Sequence, residues 1–319
     1  MKLLVLPMAM LAAWPAWGAA AEKSSVTITV EGETRIVRSN GLPDHRPGRF
    51  PNAHNPNEIQ PVPHEFRMPA KPVANEEATP SRHASFGVAL NGVPYDPGTA
   101  EFWHGDPNWN YEAGTGFLDL GLDAHNAHVQ PDGSYHYHAM PKGHIDALGG
   151  DTNQMRQVGW AADGFPIYTA AGHTDPKDPK SPLKKLRSSY ALKTEPRDGG
   201  PGGKPDGTFT ADFAYVAGKG DLDECNGRFE ITPEFPEGTF AYHITEEFPF
   251  IPRLWRGTPD PSFEKQGPPG GPGGPGGPRG PRPGFGPGPG PGPGPGGPGG
   301  PDDRGPGRRR PPRGGERPE

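Results

Sequence analysis

The chain has 319 residues, a formal net charge of −6 and one cysteine, Cys225. A single cysteine excludes any disulfide within the chain, and the sequence contains no G-x-S-x-G elbow, P-loop, H-E-x-x-H or C-x-x-C motif. Its 50 glycines and 47 prolines are concentrated after residue 257, so composition separates a foldable part from a Gly/Pro-rich tail.

The first residues have the pattern of an export signal. Lys2 precedes the apolar run "LLVLPMAMLAAW" and the small residues "GAAA", which predicts a secretory signal peptide over residues 1–20. A membrane anchor needs about 20 apolar residues, and this run is interrupted at Pro15. No later segment is apolar enough to cross a bilayer. We therefore expect a soluble protein that is secreted or periplasmic.

The predicted domain covers residues 23–257 and begins with a hairpin. Residues in "SSVTITVEGETRIVRSNG" alternate between β-branched and polar types on either side of Glu31 and Gly32. Prolines then recur every few residues from 43 to 80, which excludes a helix and predicts an extended arm on the domain surface. The hairpin and the arm together occupy residues 23–82. The predicted anchors of the arm are Phe50, Phe66 and Met68.

Two similar stretches follow and predict an internal duplication. "FGVALNGVPYDP" and "VGWAADGFPIYT" share the template G-x-A-x-[N/D]-G-x-P, and each predicts a hairpin. "DAHNAH" then corresponds to "DECNGR", and "YHYH" to "FAYH". Repeat one spans residues 86–144 and repeat two spans 158–257. The predicted fold is an all-β or β-dominated single domain with a pseudo-twofold duplication; "SPLKKLRSSYAL" is the best helix candidate, and one short helix at most.

Four histidines within fourteen residues form the candidate metal site. On a strand His136 and His138 share one face, about 7 Å apart, and can reach one ion, while Tyr135 and Tyr137 take the other face. Upstream residues complete the predicted set. These are His125 and His128, with Asp123 as an oxygen ligand or as a hydrogen-bond partner of a ligand.

The second repeat offers further candidates. His125 corresponds to Cys225, an exchange between two residue types that bind transition ions. Cys225, His243 and Asp223 are therefore possible contributors from the second half. Zinc or copper fits these ligands; Asp223 and Glu224 leave calcium as an alternative.

Other interpretations remain open. The histidines can be packed polar groups of a structural or glycan-binding module, for which the aromatic stretch "EFWHGDPNWNYEAG" offers a sugar platform. A metal-dependent or histidine–carboxylate hydrolase is a third class, with acidic pairs at Glu246–Glu247 and Asp221/Asp223. His144 is a candidate cap of the site. The histidines predicted to be surface groups are His45, His54, His64, His83, His104 and His173.

Residues 258–319 are predicted to be a disordered tail, because they contain almost nothing apolar to offset the cost of ordering the backbone. They carry nine Lys+Arg and six Asp+Glu, a net charge of +3, which leaves −9 for the rest of the chain. The Arg-rich end can contact an anionic cell-surface polymer, although a solvated tail that keeps the protein soluble is the favoured interpretation. Nothing predicts a specific nucleic-acid partner.

Six segments together resemble the YHYH-domain family of exported bacterial proteins, named for the tetrapeptide at Tyr135–His138. They are "RIVRSNGLPDH", "GVALNGVPYDPGTAEFW", "AHVQPDGSYHYH", "GWAADGFPIY", "LDECNGR" and "YHITEEFPFIPR". The resemblance covers about residues 25–257 and implies an exported domain without an assigned reaction. "FAYH" departs from the motif by lacking a histidine, which argues against two equivalent sites.

Overall fold

The computed structural model describes residues 22–82 and 84–265. The predicted signal peptide, His83 and nearly all of the predicted tail lie outside these residues. The described part belongs to one compact unit, residues 1–266. Within it, no helix has the length and apolar character needed to span a membrane.

Short strands make up most of the regular structure. In chain order they are β1 (Val26–Glu31), β2 (Thr34–Ser39), β3 (His64–Pro69), β4 (Thr79–Pro80), β5 (Gly87–Ala89), β6 (Pro94–Tyr95), β7 (Ala127–Val129), β8 (Tyr135–Tyr137), β9 (Gln157–Ala161), β10 (Pro166–Tyr168), β11 (Ala171–His173), β12 (Leu183–Lys185), β13 (Tyr190–Leu192), β14 (Phe213–Tyr215), β15 (Gly227–Glu230), β16 (Thr239–His243) and β17 (Leu254–Trp255). One α-helix, α1, covers Lys142–Ala147, and 3-10 turns cover Trp103–Gly105, Thr210–Asp212 and Pro261–Phe263. The predicted β-dominated fold is confirmed.

The predicted N-terminal hairpin is also confirmed. β1 and β2 pair antiparallel from Val26↔Ser39 to Glu31↔Thr34, and Gly32 supplies the positive φ of +64° that their tight turn requires. β3 adds a third strand along β2. The proline-rich segment therefore carries a strand as well as extended chain, and Phe66 and Met68 bury their side chains there.

An eight-stranded sheet, in the order β15-β16-β10-β9-β5-β6-β8-β7, forms the centre of the domain. The two template stretches give the hairpins β5–β6 and β9–β10, with Gly92 and Gly164 at positive φ in their turns. β5 and β9 pair antiparallel in the middle, Val88 opposite Trp160. Buried residues from this sheet and from β2 and β3 form the main hydrophobic core.

The two ends of the sheet have matching pairings. β8 lies parallel to β6, with Tyr95 opposite Tyr137, and β16 lies parallel to β10, with Ile167 opposite Tyr242. β7 and β15 form the outer strands, antiparallel to β8 and β16. The strand order therefore corresponds from either edge when the predicted repeats are aligned. The duplication itself stays a prediction.

The helix prediction was wrong. "SPLKKLRSSYAL" contains β12 and β13, which pair with β11 and β14 in two small antiparallel ribbons. The side chains of Leu183, Lys184 and Lys185 are exposed, so a helix here would have no apolar face to pack against the domain. Pairing with β11 therefore outweighs intrinsic helix propensity.

The close contact of the two central strands predicts the effect of a glycine substitution. A Cβ atom on Gly159 would lie 2.5 Å from the Val88 carbonyl oxygen and 2.7 Å from Cε2 of Tyr95. Gly159→Ala should therefore lower the free energy of unfolding by about 1–3 kcal/mol, as overpacked cores do. Urea denaturation measures this. Gly98→Ala is the control, because its Cβ would meet only Asp96 Oδ1 at 4.0 Å; equal losses in both variants would contradict the prediction.

Candidate metal centre

The tetrapeptide at residues 135–138 divides its side chains between two buried faces. β8 pairs with β6 on one side and with β7 on the other, so its alternation is fixed. His136 and His138 project from one face and are 2% and 3% exposed. Tyr135 and Tyr137 project from the other and are fully buried. His128 on β7 lies directly opposite His136, which brings it to the histidine face.

Three imidazoles meet at one point on that face. His138 Nε2 lies 3.0 Å from His136 Nε2 and 3.1 Å from His128 Nε2. The three ring centroids are 4.7–4.8 Å apart in every pair, and the planes are inclined by 66–77°. Nitrogens around a tetrahedral ion with bonds of 2.0–2.1 Å are separated by about 3.3 Å. Small side-chain rotations therefore suffice to admit an ion.

Hydrogen bonds on the far side of two rings direct their lone pairs inward. His128 Nδ1 lies 2.8 Å from the Leu120 carbonyl oxygen, and His136 Nδ1 lies 3.3 Å from that of Ser134. A carbonyl oxygen only accepts, so both Nδ1 atoms carry the hydrogen and both Nε2 atoms are unprotonated. His138 Nδ1 has no partner among the described residues, so His138 is free to present either tautomer. At most one hydrogen is available for three converging nitrogens.

Burial keeps these rings neutral. It lowers the pKa of His136 to about 3, against the opposing charge of Asp96. Burial likewise lowers the pKa of His128, and places the pKa of His138 well below its ordinary value. Neutral imidazole is the form that binds metals. This group of three histidines could hold a metal ion.

An acidic side chain borders the three rings. Asp96 is 3% exposed, and its Oδ2 lies 4.0 Å from His136 Nε2. The ammonium group of Lys265 forms an ion pair with the same Oδ2. One carboxylate therefore lies beside the three nitrogens, on the His136 side, and a cationic side chain already contacts that carboxylate.

His125 and Asp123 do not join the three histidines. Asp123 Oδ1 accepts hydrogen bonds from the backbone N–H groups of His125 and Ala127, and so closes the turn before β7. Its Oδ2 accepts from the Tyr135 hydroxyl at 2.7 Å and from the Gly48 N–H at 2.9 Å. The His125 ring packs 4.3 Å from the His45 ring, on the tyrosine side of the strand.

A second hydrogen-bonded network holds the tyrosine face. The Tyr137 hydroxyl lies 2.8 Å from His45 Nε2 and 3.0 Å from Asn91 Nδ2. Asn91 also donates to Asp44, whose other oxygen lies 2.9 Å from His144 Nδ1. His45 is therefore partly buried and hydrogen-bonded to Tyr137, and not the surface group that its loop sequence predicts. His144 contacts Asp44, so the structure does not place it as a cap on the three histidines.

The other scattered histidines differ in exposure. His54 and His104 are exposed, as predicted. His64 is partly buried and stacks on Phe66, and His173 is partly buried with Nδ1 2.8 Å from the Ser181 carbonyl.

In the second half an ion pair occupies the corresponding face. His243 Nε2 lies 2.5 Å from Glu230 Oε1, and its Nδ1 lies 2.7 Å from the Thr169 carbonyl oxygen. Arg228 binds the other oxygen of Glu230 at 2.6 Å. All described hydrogen-bonding capacity of the His243 ring is therefore used.

Cys225 is separated from His243 and belongs to a different cluster. Asp223, Glu224 and Cys225 lie close enough together to form a metal-ligand group. Arg256 already pairs with both carboxylates at 2.7 Å, and burial raises the pKa of the Cys225 thiol. A buried thiol that stays protonated is a poor metal ligand.

Several of the groups named for the other functions are engaged in packing or ion pairs. Trp109 and Tyr111 both pack on Phe209. The carboxylates of Asp221 and Glu246 pair with lysines, Lys184 and Lys185 respectively.

A comparison with protein families supports the resemblance in sequence. A family model described as YHYH protein matches residues 65–257. The chain belongs to this family. Neither the search of curated proteins nor the search of solved structures gave a match. In this YHYH protein, the tetrapeptide supplies two of the three converging histidines and both tyrosines that hold the strand.

Two residues beside the histidines were not predicted from the sequence. Asp96 reaches the site because β6 runs parallel to β8, with the Asp96 N–H bonded to the Tyr137 carbonyl. Lys265 reaches it from the end of the described chain. The only sequence signal for Asp96 is its position just after the template hairpin, and Lys265 has none.

The neutral state of His136 predicts acid sensitivity. Its pKa of about 3 in the folded chain lies below the ordinary 6.5 of an unfolded chain, so the unfolded chain binds more protons below pH 6.5. Stability is complete above that pH and is lost as the pH falls, by about 2 kcal/mol at pH 5 from this residue. Urea midpoints of EDTA-treated protein between pH 8 and 5 measure the loss. His136→Gln should reduce the slope and His54→Gln, an exposed control, should not; an unchanged slope in His136→Gln would contradict the assignment.

Proposed function

We propose that this YHYH protein holds a transition-metal ion between His128, His136 and His138. The observation that carries the proposal is the convergence of three Nε2 atoms with 3.0 and 3.1 Å contacts. Two of these atoms are unprotonated, because the other nitrogen of each ring carries the hydrogen and donates it in a hydrogen bond to a backbone carbonyl oxygen. At most one hydrogen is available to the three converging nitrogens, so unprotonated lone pairs remain in a buried site, and a cation at their centre can bind all three.

The ligand chemistry favours zinc or copper as the ion. Imidazole nitrogen suits these borderline ions. Calcium takes six to eight oxygen ligands, and Asp96 is the one described carboxylate within 4.0 Å of a nitrogen of these three rings. The Asp223–Glu224 group, considered above for calcium, has its carboxylates paired with Arg256.

Holding an ion fits this site better than hydrolysis does. A hydrolytic metal needs an open coordination position and room for a substrate. His136 and His138 are 2% and 3% exposed. A cleft of about 620 Å³ lies along Asn126, Met140 and Phe250, and none of the three histidines lines it.

We also propose that the halves arose by duplication and that the second half has no ion. Two observations support the duplication. Asn126 and Asn226 have similar positive φ angles, 61° and 54°. Asp123 and Asp223 close equivalent turns. Arg228 then occupies the position of His128, and its guanidinium is a permanent cation beside Glu230. The signal-like N-terminus supports export, so we place the ion-binding domain outside the cytoplasm.

Metal analysis of the untagged protein tests the proposal. We expect about one zinc or copper per chain by elemental analysis. His136→Ala and His138→Ala should each weaken binding of the ion by at least about 100-fold, because a direct ligand contributes more to affinity than a residue that only hydrogen-bonds to a ligand. Competition titration with a chromophoric chelator measures this.

Two matched controls separate ligands from other histidines. His125→Ala removes a histidine of the same sequence cluster, and His243→Ala removes the counterpart of His138. Both should retain wild-type metal content. Metal-free wild-type protein after titration, or undiminished binding in His136→Ala and His138→Ala, would contradict the proposal.

A further inference from the structure

The carboxylate of Asp96 is buried with few strong partners. The residue is 3% exposed, and burying an unpaired charge is costly. Its Oδ1 accepts one hydrogen bond from the Gly98 N–H at 3.3 Å, and its Oδ2 accepts one from Gln130 Nε2 at 3.5 Å. Both contacts are long. The strong partner of Asp96 among the described residues is Lys265.

Lys265 connects this carboxylate to the solvent. Its side chain is 41% exposed, whereas that of Asp96 is 4% exposed. The lysine therefore approaches from the surface, and its ammonium contacts the oxygen that faces His136, 4.0 Å from that ring. One oxygen atom thus lies between a cationic side chain and the meeting point of three imidazoles.

We propose that Asp96 is the fourth ligand of the ion and that Lys265 is its counter-cation in the metal-free protein. This rests on the proposed metal site. The ion and the ammonium then compete for Asp96 Oδ2. When the ion binds, Oδ2 turns toward it and Lys265 is released to solvent.

The geometry and charge agree with such an exchange. Moving Oδ2 from 4.0 Å to the ligand spacing of about 3.3 Å from His136 Nε2 needs a shift well within side-chain rotation. A divalent ion repels an ammonium group bound to one of its own ligands. Lys265 can leave at little cost, because a lysine that is already partly exposed is readily solvated.

Affinity measurements on four variants test the exchange. Asp96→Asn should weaken zinc or cobalt(II) binding by about 10- to 100-fold and change the visible spectrum of bound cobalt(II). Lys265→Met should bind the ion roughly three- to tenfold more tightly, because the competing charge is gone. Lys265→Arg should stay near wild type. Lys219→Met, which removes an exposed lysine, is the matched control and should have no effect.

Trypsin cleavage gives a readout independent of affinity. Trypsin must bind the free ammonium of Lys265, so cleavage after this residue should be slow in the metal-free protein and faster with zinc bound. Mass spectrometry of the fragment ending at Lys265 measures the rate. In His138→Ala the addition of zinc should leave the rate unchanged.

The two proposals fail in different ways. If wild-type protein binds the ion and His138→Ala does not, the histidine site stands. The exchange is then overturned if Lys265→Met binds no more tightly than wild type and zinc does not accelerate cleavage. Wild-type cobalt(II) spectra and affinity in Asp96→Asn would overturn the fourth ligand. If wild-type protein binds no ion, both proposals fall together.

Discussion

The rest of the site depends on one constraint, the fixed alternation of side chains along β8. Both edges of this strand are paired, to β6 and to β7, so it cannot slip by one residue without exchanging its tyrosines and histidines between faces. The tyrosines resist that exchange, because their hydroxyls are held by Asp123 on one side and by Asn91 and His45 on the other. Contacts on the tyrosine face of β8 therefore fix the position of the imidazoles on the opposite face. Strand pairing and tyrosine burial hold three nitrogens together although at most one hydrogen is available to them.

The two ends of the central sheet share this architecture and differ in where positive charge comes from. In the second half Arg228 neutralises Glu230, which in turn binds His243. That network is complete, because each buried polar group has a partner of opposite character. In the first half the groups at the same pairing positions are His128 and Gln130, and no side chain in the described part of the chain supplies a positive charge between the three rings. Lys265 instead approaches from the rim through Asp96. The second-half network is therefore satisfied by its own side chains, whereas the first-half histidine site is open to an external cation.

The sequence predicted the elements whose signal is local. The N-terminal hairpin, both template hairpins and the shared face of His136 and His138 all follow from alternation and turn residues. Placement across strands could not be predicted in the same way. His125 looked equivalent to His128 because both precede the tetrapeptide, but the turn closed by Asp123 places only His128 on β7. Asp96 depends on the parallel register of β6 with β8, which no local pattern encodes. The strands in "SPLKKLRSSYAL" could not be predicted from that segment, because their partners β11 and β14 lie outside it.

The depth of the site bears on what an ion there could do. Its donors are short side chains on paired strands, and two of the three rings are held through Nδ1 by backbone carbonyl oxygens. Such ligands reorganise little, which favours firm retention of an ion over repeated exchange of substrate at the metal. The large cleft lies elsewhere, along the chain that follows His138 and His243, at Met140 and Thr245. β8 and β16 both lead toward that cleft, and Ala139, which follows His138 directly in the chain, is one of its lining residues.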